Sequence, residues 1–141
     1  MQLKNGVAVA LLGVLAACGP SVRGPAPGAV PVNVEAAAAK FYAENPGSAA
    51  GLVDDRQRGF LINEDGKAFF IPFNAKSDLR NRTGVSSMEG NQICFRPGEN
   101  GWSGACIFLF LNPDGSYFIE GKFGNGATIR ETLNLVVLPA V

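Results

Sequence analysis

Apolar and polar positions change their spacing several times along the chain. An unbroken apolar run from Val7 to Leu15 comes first. Residues 19–31 then read Gly-Pro-Ser-Val-Arg-Gly-Pro-Ala-Pro-Gly-Ala-Val-Pro, which can neither propagate a helix nor bury an apolar face. This stretch is read as a spacer, kept extended by proline at about 3.1 Å per residue. From Asn33 the spacing becomes helical, with Val34, Ala38, Phe41 and Tyr42 on one stripe. Asn33 can cap the first turn, Glu35 complements its dipole, and Asn45-Pro46-Gly47 stops the helix. A helix of roughly three turns is unstable alone in water, so its stripe must lie on another element.

After Gly59 the period falls to two and turn signals recur at short intervals, the pattern of antiparallel strands joined by hairpins. Asn63-Glu64-Asp65-Gly66 and Asn112-Pro113-Asp114-Gly115 each suit a type I turn whose glycine takes the left-handed position of a three-residue hairpin with a bulge. Pairing Asn112 with Ser116 then sets Leu111 against Tyr117, Leu109 against Ile119 and Ile107 against Gly121. That face is wholly apolar. The opposite face carries Phe108, Phe110 and Phe118 beside Cys106, Glu120 and Lys122. A sheet apolar on both faces needs two covers, and the amphipathic helix is the natural second one.

The cysteines fit the same register. Cys94 directly opposite Cys106 places Phe95 against Ala105 and Ile93 against Ile107, which continues the apolar face. A disulfide between them would close a loop worth on the order of 3 kcal/mol. A redox pair or metal ligation is the competing reading, but the spacing is far from Cys-x-x-Cys and the chain has no histidine. With strands also expected at 84–88, near Gly126 and at 133–138, the fold class is mainly β. The expectation is an antiparallel meander of about seven strands, strongly curled or closed into a small barrel, with one short N-terminal helix. The domain limits read as 1–17 for a leader, 18–32 for a spacer headed by Cys18, and 33–141 for a single β-rich domain.

The leader changes how composition is to be read. Lys4 precedes the apolar run, small residues follow it, and too few residues separate Lys4 from Cys18 to cross a hydrocarbon core, which takes roughly 20 in a helix. Leu15-Ala16-Ala17-Cys18 resembles the lipobox of bacterial lipoprotein precursors, matching Leu, two small residues and the cysteine. The resemblance covers the leader alone. It implies cleavage before Cys18, a diacylglyceryl thioether on its sulfur, an acylated amino terminus and attachment to the membrane of the cell envelope. Gly19, in place of the Asp that marks inner-membrane retention in Gram-negative bacteria, favours the outer membrane over the inner membrane with the domain facing the periplasm, and the cell surface is a third location. Export in turn favours the disulfide.

The chain has 12 basic and 12 acidic residues, and only Lys4 among them falls in the leader, so the mature chain carries 11 against 12. A charge near −1 gives no basic face for nucleic acid, which is not expected as a partner. Without histidine the Ser-His-Asp and Cys-His mechanisms and most zinc sites drop out, and neither metal nor cofactor is expected. A carboxylate enzyme would have to draw on Asp54, Asp55, Glu89, Glu99 and Glu131, none in a context that tunes its acidity, so no catalytic role is expected.

Recognition is a different matter. Residues 96–104 form a polar, glycine-rich loop tied at its base by the cysteines, and Arg96, Glu99, Asn100 and Trp102 are its candidate contacts. Trp102, the single tryptophan, either anchors an interface there or folds back over the sheet. Lys76, Arg80 and Arg82 make a second, basic surface that could meet an anionic partner such as lipid headgroups but reads chiefly as a solvated connection. Three functions fit: a non-enzymatic interaction domain with an envelope protein partner, a carrier of a small apolar ligand in a hollow barrel, and an inhibitor of an envelope hydrolase acting through a protruding loop.

Overall fold

The computed structural model describes residues 24–73 and 79–141. Among these, β1 (Val30–Pro31) and helix α1 (Val34–Glu44) precede eight longer strands: β2 (Ser48–Val53), β3 (Gly59–Asn63), β4 (Lys67–Ile71), β5 (Asn81–Glu89), β6 (Gln92–Phe95), β7 (Ala105–Leu111), β8 (Tyr117–Phe123) and β9 (Thr128–Pro139). Each of β2 to β9 pairs antiparallel with its neighbour in sequence, and β9 returns to β2, from Ser48 opposite Pro139 to Val53 opposite Asn134. The sheet is a closed eight-stranded barrel. The expected meander is present with closure, and β2 is the strand missing from the sequence reading.

The helix forms as its sequence dictates. Asn33 accepts a hydrogen bond from the Ala36 amide at 3.1 Å, and Val34, Phe41 and Tyr42 are its buried residues. Its position corrects the expectation of a second cover for the sheet. Closure gives the sheet an inner face that covers itself, so the helix lies across one end of the barrel. There Val34 joins Leu52, Ile62, Ile93 and Leu109 in the main core, and the Val34 amide donates to the Gly90 carbonyl at 2.9 Å. Outside, Phe108 stays 40% exposed, while Phe118 is buried with Phe110 at 6.4 Å between ring centroids.

Part of the stretch expected to be a spacer is folded onto the barrel. Val30 and Pro31 pair with Leu111 and Phe110, the Val32 amide donates to the Leu109 carbonyl at 3.1 Å, and the Ala26 amide donates to Asn112 Oδ1 at 3.1 Å. The second half of the proline-rich stretch therefore belongs to the folded unit, as a two-residue edge strand where proline lacks only a donor it does not need.

Four hairpins use one turn. Asp54 with Arg58, Asn63 with Lys67, Asn112 with Ser116 and Phe123 with Ala127 flank loops whose last residue, Gln57, Gly66, Gly115 or Gly126, has positive φ. In each, that residue's amide donates to the first carbonyl, at 2.9 to 3.0 Å. The side chains of Asp54, Asp65, Asp114 and Asn125 each accept from the amide two residues on. In the Asn112 hairpin the Ser116 hydroxyl and amide hold the Asp114 carboxyl below its ordinary acidity range. The turns fix the register inferred from sequence: Leu111 faces Tyr117, Leu109 faces Ile119 and Ile107 faces Gly121.

Cys94 and Cys106 form a disulfide between directly opposed positions, with Phe95 against Ala105 and Ile93 against Ile107. Their residues alternate with inward Ile93, Phe95 and Ile107, so the bridge lies on the outer face and clamps β6 to β7. Replacing either cysteine by serine is expected to cost about 2–4 kcal/mol and to leave one thiol reactive on the partner cysteine. Denaturant unfolding and thiol titration check this; an unchanged midpoint, or reactive Cys94 and Cys106 in the parent, would refute a stabilising bridge.

Candidate functional site

Strand alternation gives the barrel two unlike ends. One carries α1 and the hairpin turns at 63–67, 89–92 and 112–116; the other carries the turns at 54–58 and 123–127, the long connection β6–β7, the end of β4 and the start of β5. The space between is filled. Leu52, Phe60, Ile62, Phe70, Ile93, Phe95, Ile107, Leu109, Ile119, Ile129 and Leu133 are all buried in one core. Phe60 stacks on Phe95 at 4.6 Å and tilts against Phe70 at 5.0 Å, so aromatic rings span the interior. Eight strands leave an interior that side chains can fill, and here they do.

At the far end Trp102 closes the barrel. It is 7% exposed, stacked on Phe70 at 4.4 Å and edge-on to Phe123 at 5.7 Å. Its Nε1 donates to the Arg96 carbonyl at 3.0 Å. Of its two sequence readings, the inward one holds, and Trp102 is removed from the candidate contacts.

The loop that carries it lies down on β5. The Gly98 amide donates to the Trp102 carbonyl at 3.0 Å and the Glu99 amide to the Arg82 carbonyl at 3.1 Å. A Cβ on Gly98 would stand 1.9 Å from the Arg82 carbonyl oxygen, so only glycine permits this approach. Arg96 reaches back along β5, donating from Nη2 to the Val85 carbonyl at 2.7 Å. Its own carbonyl also accepts from the Thr83 hydroxyl. Asn100, in the left-handed region, donates from Nδ2 to Asn81 Oδ1 at 3.3 Å, and Glu99 stands 3.7 Å from Arg82 Nε. Arg96, Glu99 and Asn100 are exposed at this end but are held by their own domain.

The remaining candidates are spread apart. Asp54 serves its turn, accepting from the amides of Arg56 and Arg58 at 2.9 Å each. Asp55 and Glu89 are exposed on opposite ends, and Glu131 is half-buried on β9 at the register position facing Ile119. Among the described residues, no three His, Cys, Asp or Glu side chains are placed to hold a metal ion. Arg80 and Arg82 are exposed, with Arg82 over the Phe69 ring at 5.9 Å. Lys76 and Cys18 lie outside the described residues.

Beneath the helix, Val32, Phe41, Leu52, Ile62, Leu109 and Leu135 line an apolar cleft with about 60 Å³ of free space. Pockets that hold drug-sized ligands run to roughly 300–1,000 Å³. Tyr42 borders this cleft and donates from its hydroxyl to the Ile62 carbonyl at 2.5 Å. Burial, with smaller contributions from Glu64 and Asp65, pushes its phenol up to about 12.

Charge is divided between the ends. Among the described residues the helix end holds Glu35, Glu44, Glu64, Asp65, Glu89 and Asp114 against Lys40 and Lys67. The Trp102 end holds Arg56, Arg58, Arg80, Arg82, Arg96, Lys122 and Arg130 against Asp54, Asp55, Glu99, Glu120 and Glu131. Sequence reading missed this asymmetry, because the charges that share an end are scattered along the chain and only the alternation of strands collects them.

No family model, curated protein or solved structure matches the chain. What is defined is therefore a class of architecture, a filled eight-stranded meander barrel with a helical cap.

Trp102→Ala is expected to lower stability by roughly 3–5 kcal/mol, the range for emptying a large aromatic site. Denaturant unfolding measures it, and a loss below about 1 kcal/mol would contradict the plug. A second expectation concerns Tyr42. Its folded value lies above the ordinary 10, so the folded state retains a proton that the unfolded state loses between pH 10 and about 12. Stability from this group is full below pH 10 and falls as pH rises through that window. Unfolding curves across it should drop more steeply for the parent than for Tyr42→Phe; parallel slopes would remove Tyr42 as the cause.

Proposed function

We propose that this chain is a lipid-anchored, non-enzymatic interaction domain of the bacterial cell envelope. The observation that carries the reading is Leu15-Ala16-Ala17-Cys18 after an apolar leader. It assigns a thioether-linked diacylglyceryl group to Cys18, and Gly19 assigns the outer membrane, facing the periplasm. The architecture supports an interaction role over the two alternatives. A filled interior with about 60 Å³ of room beneath the helix disfavours a carrier. A loop held down by its own hydrogen bonds disfavours an inhibitor that works by inserting a protruding segment. What the domain offers a protein partner is its rigid outer surface.

Cys18→Ala is expected to abolish incorporation of labelled fatty acid, to leave the leader uncleaved and to release the acyl-dependent attachment to envelope membranes. Metabolic labelling of the parent and the variant is the measurement. Equal labelling of the two would overturn the anchor.

A further inference from the structure

The way the chain enters the barrel limits how an anchored barrel can stand. Ala26 is bonded to Asn112, and β1 pairs with the last two residues of β7. Gly24 is two residues from Ala26, so it lies beside the β7–β8 turn, at the helix-capped end. From Cys18 to Gly24 the backbone has six steps, which reach at most about 22 Å however the chain is arranged.

The barrel is taller than that tether. A strand the length of Ala105–Leu111, with six rises of about 3.3 Å at a tilt near 40°, climbs about 15 Å. The loops at its ends add layers of roughly 5 Å each. Turning the Trp102 end to the lipid would put Gly24 roughly 20–25 Å from the surface, at or beyond the full extension of the tether.

The apolar surface is distributed in the same sense. Of the five large hydrophobic residues most exposed among the described residues, Val30, Leu135 and Val137 lie on β1 and on the half of β9 that runs to the helix-capped end. Leu79 is at the other end and Phe108 on the flank.

We propose that the barrel stands on the bilayer holding Cys18, with its helix-capped, acidic end toward the lipid headgroups and its Trp102-plugged, basic end turned outward. This rests on the anchored reading of Cys18. The acid excess at the near end also makes the contact depend on lipid charge, since carboxylates within a Debye length of about 8 Å of an anionic surface are repelled.

The test uses the mature lipidated protein, isotopically labelled, in phosphatidylcholine bicelles containing a lipid with a gadolinium-chelate headgroup. Loss of amide signal is expected at 63–66, 89–91 and 112–115, with signal retained at 56–58, 98–101 and 124–126. Uniform attenuation or the reverse gradient would overturn the orientation. Adding phosphatidylglycerol should restore signal at the near end, and stronger attenuation there would overturn the electrostatic part. Flexible Gly-Ser residues inserted after Val22 should flatten the gradient, and a gradient of full strength would show that the tether does not set it. Intact mass separates this proposal from the anchor. A mass without acyl groups overturns both, whereas a lipidated protein lacking the gradient overturns the orientation alone.

Discussion

Pairing of β2 with β9 is the constraint on which the rest of the molecule depends. Every other long pairing joins strands adjacent in sequence, so it can form from a local hairpin; this one joins strands from opposite ends of the domain along six opposed pairs. Without it the sheet would expose two edges with unpaired amides and carbonyls, and the face carrying Phe60, Ile107 and Ile119 would open to water. Loop-closure entropy opposes a contact of this separation, and the burial completed by closure offsets it. The outer face helps to hold the seam. Val136 and Leu138 of β9 lie over Gly51 of β2, close enough that a Cβ there would stand 2.8 Å from each, and Val53, Leu61 and Ile71 are buried in a second small cluster beside them.

Closure turns the ends of the barrel into separate packing problems, and the chain solves them differently. At one end α1 spans the mouth with Val34, Phe41 and Tyr42, and the polar tip of Tyr42 is satisfied by the Ile62 carbonyl. At the other a loop inserts Trp102, whose indole nitrogen finds the Arg96 carbonyl. Both plugs use an aromatic side chain with a polar handle, which is the residue type able to seal an apolar interior while its far edge meets backbone. An interior closed in this way has its selectivity in packing and leaves little room for a guest.

How far this could be read from sequence depended on whether the deciding contacts were local. The Asn112-Pro113-Asp114-Gly115 turn carries its own chemistry, and it fixed β7 against β8 to the residue; the same alternation placed Cys94 opposite Cys106. β2 was invisible because it opens on Ser48-Ala49-Ala50-Gly51, small residues with weak strand preference, and the reason for Gly51 lies across the seam in Val136 and Leu138. β1 hid inside a proline-rich stretch because an edge position tolerates proline. The inward turn of Trp102 was one of two open readings, and the close approach of Gly98 to the Arg82 carbonyl, which decides between them, is a tertiary contact. The motif Leu15-Ala16-Ala17-Cys18 is the converse case, since it is legible as sequence and lies outside the described residues.

The division of charge follows from topology with no local signal at all. In a meander barrel every second connection falls at the same end, so acidic residues in α1 and in the turns at 63–67, 89–92 and 112–116 gather although they are distant in sequence. Arginines at the starts of β5 and β9 and at the end of β6 gather at the other end by the same rule. Such a separation is worth little to stability, because exposed charges interact through water and salt. It can act strongly on encounter, because a field that differs between two ends orients a domain before contact is made. With the interior filled, the outer surface is what the domain presents, and its two ends differ in the charge they carry.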